Sequence, residues 1–175
     1  MSSVVIGLIL TLGVTLLGAD AGPSDLNDAL ETDEPFWMFM RSYPRITNGA
    51  NHECVYSKKI SLTDYSYTFY QKYKVQGESE QKTLSLNAII RPDPEPVLVV
   101  SATTATPRTE YTLRYWDKKT HCGILTLEHE GKQHCEMYVW NHDVKKAPSP
   151  ECETEFDNLC RDRGKYQVYQ PYCTE

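Results

Sequence analysis

The chain has no run of lysine or arginine. Its 18 Lys+Arg are scattered and outnumbered by 24 Asp+Glu, giving a net charge of −6 and a pI near 5.4. Without a basic stripe to neutralise phosphates, nucleic-acid binding is not expected. Long apolar runs are missing too, apart from one at the N-terminus, so no membrane span is expected in the mature chain. There is no C-x-x-C pair, and His129-Glu130 stands five residues, not four, before His134, so the commonest zinc patterns are absent. No G-x-S-x-G elbow or paired-carboxylate motif stands out, so neither an enzyme nor a cofactor is expected. The N-x-[ST] sequon is lacking, which removes N-glycosylation, and there is no internal repeat or low-complexity tract. An apolar share of 40% argues against wholesale disorder, and 175 residues suit one domain.

What is present begins with residues 4–17, an apolar run followed by the A-x-A pattern Ala19-Asp20-Ala21. About 14 helical residues rise only about 21 Å, short of a bilayer core of roughly 30 Å. The run therefore reads as a signal peptide over 1–21, leaving a mature domain over 22–175 that is secreted and extracellular. All six cysteines follow it: Cys54, Cys122, Cys135, Cys152, Cys160 and Cys173. An even number in an oxidising compartment predicts three disulfides, among fifteen possible connectivities. The adjacent pairs His121-Cys122 and His134-Cys135 offer metal-ligand types, but not at a spacing that converges on a hairpin, so no metal is expected. His121, His129, His134 and His142 read as surface or rim residues.

Eight strands are predicted, over 36–43, 52–60, 64–75, 82–90, 97–102, 108–116, 121–128 and 132–140, with the last hairpin turning at Glu130-Gly131. A short helix is expected after Ser24. A longer one starts at the N-cap Ser149 with Pro150 in its first turn, carries Arg161 and Arg163 in its last turn, and stops at Gly164. Cys152, Phe156, Leu159 and Cys160 share one stripe of that helix, so two cysteines can anchor its buried face to a sheet. Eight short antiparallel strands must bury a face and manage their edges. An up-and-down barrel does both and leaves room for one small ligand; a two-sheet sandwich is the rival, and the outside helix favours the barrel. The 12 Tyr, 4 Phe and 3 Trp exceed what an aliphatic core needs and suit a half-polar cavity.

Particular residues carry a family resemblance. Tyr111-Thr-Leu-Arg-Tyr-Trp-Asp117, Cys122-Gly-Ile-Leu125 and Cys135-Glu-Met-Tyr-Val139 resemble the tick salivary lipocalins, the histamine-binding-protein family. So do Asp28-Ala29 ahead of a strand ending Arg41-Ser42-Tyr43, and Cys54-Val55 just downstream. The resemblance implies an all-β, eight-stranded antiparallel lipocalin barrel with a short N-terminal helix and a C-terminal helix packed outside. It also implies a monomer secreted in tick saliva that sequesters host mediators: histamine, serotonin, leukotrienes or other lipids, or in some members a complement component. The family pattern pairs Cys54 with Cys173 and Cys122 with Cys152, leaving Cys135 with Cys160. Alternation supports this last pair, since Cys135, Met137 and Val139 then face the helix while Glu136 and Tyr138 face the barrel.

Amine capture needs a buried carboxylate and aromatic walls. The family's amine motifs, D-A-W and [YC]-[DE]-x-W, stand here as Asp28-Ala29-Leu30 and Cys135-Glu136-Met137-Tyr138: both acids remain and both tryptophans are replaced. A biogenic-amine scavenger is thus expected to use Glu136 as anionic contact, with Tyr43, Tyr111, Tyr138 and Trp37 as walls, and Phe39 and Asp28 are further candidate ligand contacts. Arg41 shares strand parity with Trp37, Phe39 and Tyr43. It is expected to pair with Glu136, to stand at the rim, or to hold the carboxylate of a fatty acid or leukotriene. A barrel packed shut and acting on a host protein is the remaining alternative.

Overall fold

In the computed structural model, residues 21–102 and 107–175 are described; the expected signal peptide up to residue 20 lies outside them. The elements follow as α1 (Pro23–Leu30), β1 (Phe36–Arg41), β2 (Ile46–Thr47), β3 (Ala50–Leu62), β4 (Ser66–Val75), β5 (Gln81–Arg91), β6 (Val97–Ala102), β7 (Thr109–Asp117), β8 (Cys122–His129), β9 (Lys132–Trp140), α2 (Asn141–Val144), α3 (Pro150–Cys160) and β10 (Tyr166–Gln167). Strands β3 to β9 pair antiparallel in chain order, and β1 closes the ring by pairing with both β3 and β9. The result is a closed eight-stranded up-and-down barrel, with β2 and β10 as short additions at its edge. Closure satisfies backbone donors that an open sheet would leave at its edges. Among the described residues no helix is long and apolar enough to cross a membrane.

Two apolar clusters follow from strand alternation. The inner one gathers Phe36, Met38, Val55, Tyr67, Phe69, Leu86, Leu98, Leu125 and Tyr138 inside the barrel, with Leu26, Ala29 and Leu30 of α1 against it. The spacing of those three α1 residues puts them on one helix face. Helix α1 precedes β1, so it closes the end of the barrel opposite the β8–β9 hairpin. The outer cluster holds Trp37, Tyr56, Ile124, Met137 and Val139 under α2, α3 and the C-terminal tail, and contains all six cysteines. Disulfides join Cys54 to Cys173, Cys122 to Cys152 and Cys135 to Cys160, with Cα separations of 5.3, 6.4 and 6.1 Å. They bind α3 and the tail to the outer wall. Cys54 sits in a β3 bulge at a φ of 52°, unusual for a residue with a Cβ. Its N–H donates to the carbonyl of Val168 at 2.9 Å, so the tail holds that turn from two atoms.

Helix ends differ in detail from the expectations. Helix α1 caps at Gly22, not Ser24, because Pro23 presets the first turn and Asp25 accepts the Gly22 N–H at 2.8 Å. Helix α3 does start at Ser149, whose hydroxyl accepts from the Cys152 N–H at 3.2 Å. It ends at Cys160, however, and Gly164 does not adopt a left-handed conformation. Arg163 instead donates to the Gln133 carbonyl at 3.1 Å, so the arginine is committed to the sheet and not to the helix end. The β8–β9 turn has Glu130 and Gly131 both at positive φ, 52° and 70°, the geometry that tight two-residue hairpins need.

Candidate ligand cavity and its buried carboxylate

A bulge in β1 decides which side chains reach the interior. The register with β9 shifts between Met38 and Met40. Phe36 and Met38 therefore face inward, Trp37 and Phe39 outward, and Arg41 inward again. The expected parity of Trp37, Phe39 and Arg41 is broken by that one residue. Trp37 and Phe39 are not cavity walls. Trp37 is 1% exposed in the outer cluster, packed at an angle to Tyr56 and edge-on to Tyr169, with its indole N–H donating to Asn141 at 2.8 Å. Phe39 packs beside Tyr169 on the same face. A second bulge, between Leu113 and Tyr115, turns Tyr115 outward and Trp116 toward Phe36. Asp28 is also outside: it lies exposed on α1 and pairs with Lys118. Its helix neighbours Leu26, Ala29 and Leu30 face the barrel instead.

Glu136 is the most enclosed charge in the molecule's interior, 2% exposed on β9. The Tyr43 hydroxyl, from the loop after β1, donates to its Oε1, and Tyr138 donates to its Oε2 at 3.0 Å. Burial raises its pKa from the usual carboxylate value, partly offset by those two phenols and by the positive field of Arg41 and Arg45. The same burial, reinforced by Glu136, pushes the Tyr43, Tyr111 and Tyr138 hydroxyls up, so all three stay protonated donors. Tyr43, Tyr111, Tyr138, Arg41 and Glu136 thus do converge, as one inward-facing group.

Arg41 is 2% exposed and forms no salt bridge with Glu136, its register partner across the β1–β9 ladder. One guanidinium nitrogen donates to the His52 carbonyl at 3.0 Å and reaches the Arg45 carbonyl at 3.4 Å, while Nε is buried without a partner. The carbonyls of Arg45, in the loop after β1, and His52, on β3, thus engage a single guanidinium nitrogen and draw it away from Glu136. Its ring neighbours are Tyr43, 5.7 Å from the guanidinium, and His52, which stacks on Tyr73 at 4.5 Å. Burial and the two arginines lower the basicity of His52.

Two neighbouring spaces result. A small chamber of about 10 Å³ lies among Arg41, Arg45, His52, Tyr111 and Glu136, room for a single water. The main cavity, about 240 Å³, is walled by Leu30, Phe36, Tyr67, Phe69, Leu86, Leu98, Leu125, Tyr111 and Tyr138. Arg45 and Gln71 border both spaces, whereas Glu136 borders only the small one. Arg45, Gln71, Phe36 and Met38 were not among the residues expected at the site. Alternation along β4 (Tyr67, Phe69, Gln71, Tyr73) carries the signal for Gln71; nothing in the sequence marks the β1 bulge that brings in Phe36 and Met38.

Comparison with known proteins places this geometry. The family model described as tick histamine binding protein matches residues 22–175. A search of curated protein sequences finds no match. Among solved structures, japanin from Rhipicephalus appendiculatus bound to cholesterol superposes with a TM-score of 0.62 at 18% identity, over 83% of this chain and 98% of that one. AM182 in its serotonin complex gives a TM-score of 0.66 at 15% identity, over 88% and 95%. Lobster apocrustacyanin A1 gives 0.54 at 14% identity, over 83% and 82%. At these identities the structural likeness carries the fold.

Proposed function

The chain belongs to the tick histamine-binding protein family, and on that premise we propose that it is a secreted scavenger of a largely apolar mediator bearing one acceptor group, such as a fatty-acid carboxylate. The observation that carries this reading is the division of the interior. The larger cavity offers aliphatic and aromatic walls and donors that include Arg45 and Gln71, while the carboxylate borders only the smaller space with both oxygens already hydrogen-bonded. Apolar burial supplies most of the affinity of such a site, and a few polar groups fix orientation. A cationic ligand would have to enter past Arg45, lie near Arg41, and displace a phenol to reach Glu136. Cholesterol in japanin supports an apolar occupant; serotonin in AM182 supports the amine. Three disulfides suit an oxidising, extracellular setting, and removal of a host mediator at the bite site is the role this implies.

A biogenic amine is the second reading, favoured by Glu136 itself, a fully enclosed acid ringed by aromatic rings. Trp116 touches Phe36, a cavity wall, with ring centroids 6.3 Å apart, so tryptophan fluorescence reports occupancy. The oxidised mature protein is titrated with a C20 fatty acid, cholesterol, serotonin and histamine. Saturable quenching by the fatty acid, weakened roughly 5- to 10-fold in Arg45→Ala, is the expected result, the loss of one charge-assisted hydrogen bond at a partly wet rim. Tighter binding of an amine, abolished in Glu136→Gln, would replace this reading with the second. No response to any of the four would point to a protein partner instead.

A further inference from the structure

At the barrel end that α1 closes, three side chains from two separate segments, none of them lining the ligand cavity, meet. His121 lies in the β7–β8 turn at a φ of 48°; His142 and Asp143 lie in α2. Nδ1 of His121 and Nε2 of His142 each lie 2.8 Å from the same oxygen, Oδ2 of Asp143. One ligand atom from each residue falls within 4.8 Å of the others. We propose that His121, His142 and Asp143 form a binding site for one divalent transition-metal ion of the zinc class.

The protons of this cluster have few places to sit. The other nitrogen of His142, Nδ1, lies 3.1 Å from Oε2 of Glu34, which also accepts the His142 backbone N–H at 3.2 Å. A neutral imidazole carries one proton, yet both nitrogens of His142 face carboxylate oxygens. With the proton on Nδ1 toward Glu34, Nε2 and Oδ2 present lone pairs to each other at 2.8 Å. A cation between them removes that repulsion, either a second proton or a metal ion. Nδ1 of His121 faces the same oxygen, so a metal at this point collects three ligand atoms at once. Glu34 then serves as the outer carboxylate that commonly fixes the tautomer and orientation of a metal-bound histidine. The His121 ring is held by stacking on Trp140, with centroids 4.1 Å apart and planes 9° from parallel. Lys146 occupies Oδ1 of Asp143, leaving Oδ2 for the ion.

Ligand bonds of about 2.0–2.2 Å in a tetrahedron set ligand atoms roughly 3.3 Å apart, so each 2.8 Å contact opens by about half an ångström. His142 is exposed, which gives an entry path and leaves the fourth position to water. Two imidazoles and one carboxylate suit zinc, nickel or copper better than magnesium or calcium. Bound there, the ion would tie the β7–β8 turn to α2.

The test uses tag-free mature protein, disulfides intact and dialysed against EDTA. Zinc chloride is titrated by calorimetry, and nickel chloride by fluorescence, since the stacked Trp140 is quenched by a paramagnetic ion on His121. One equivalent of zinc per chain and a raised Tm are expected. His142→Ala should weaken zinc binding at least tenfold, and Glu34→Gln about tenfold through the outer shell. His129→Ala, at the opposite end, should change nothing. Absence of binding at 100-fold excess zinc would overturn the site in favour of a proton-bridged cluster. Binding that is unchanged in His142→Ala and Asp143→Asn would place the metal elsewhere and overturn it equally.

Discussion

Replacing Glu136 by Gln keeps the shape of the side chain and removes its charge from the most enclosed polar position in the barrel. Burial raises the Glu136 pKa in the folded protein above its unfolded value. The sign follows from linkage: the folded state holds the proton more tightly than the unfolded state. The stability this gives is therefore complete below the unfolded carboxylate range near pH 4.3 and is lost as pH rises through the folded value. Glutamine titrates nowhere, so the variant does not lose it. At pH 4 the variant should be slightly less stable than the parent, by about 0.5–1.5 kcal/mol, because one amide oxygen must serve two phenols, Tyr43 and Tyr138. From pH 4 to pH 8 the difference should swing in favour of the variant by about 1.4 kcal/mol for each unit of elevation. In a domain of this size that corresponds to roughly 3–5 °C in Tm per unit. Thermal unfolding of both proteins across this pH range, with disulfides intact and reversibility checked, reads the difference while other titrating groups cancel. A difference that is flat, or that moves toward the parent as pH rises, would mean that the phenols and arginines outweigh burial. It would refute the raised value. The same variant should keep its fatty-acid affinity within about twofold, since Glu136 does not border the main cavity.

Two further outcomes follow from the fold. Removing the Cys54–Cys173 bond, which closes 119 residues, should cost about 5 kcal/mol in the chain-entropy treatment, against about 3.5 kcal/mol for Cys135–Cys160, which closes 25. Urea unfolding of the paired-alanine variants measures both, and a reversed order would show that native-state anchoring of α3 matters more than loop length. Trp37→Phe loses the bond to Asn141 and fully buried ring area, so a loss of about 1–3 kcal/mol is expected with ligand affinity unchanged. A parallel loss of affinity would place the β1 outer face in communication with the cavity.

The local chemistry of this chain is legible residue by residue. Period-two alternation on β9 places Glu136 and Tyr138 opposite Cys135, Met137 and Val139, and the Glu130-Gly131 turn fixes that hairpin. Ser149 and Pro150 start α3 as their propensities dictate. Disulfide-bearing cysteines, the barrel and the family follow from spacing and motifs that survive at a distance. Register does not. A single extra residue between Met38 and Met40 moves Trp37 and Phe39 out of the barrel and keeps Arg41 in, because a pleated strand has only two faces. Whether Arg41 meets Glu136 depended on backbone carbonyls of Arg45 and His52, whose placement beside β1 no local pattern encodes. The cluster of His121, His142 and Asp143 likewise joins residues twenty or more positions apart through the β8–β9 ladder. Composition and periodicity determine which side chains are available for burial. The closed tertiary structure alone decided which of them share a cavity, because closure sets every neighbour relation at once.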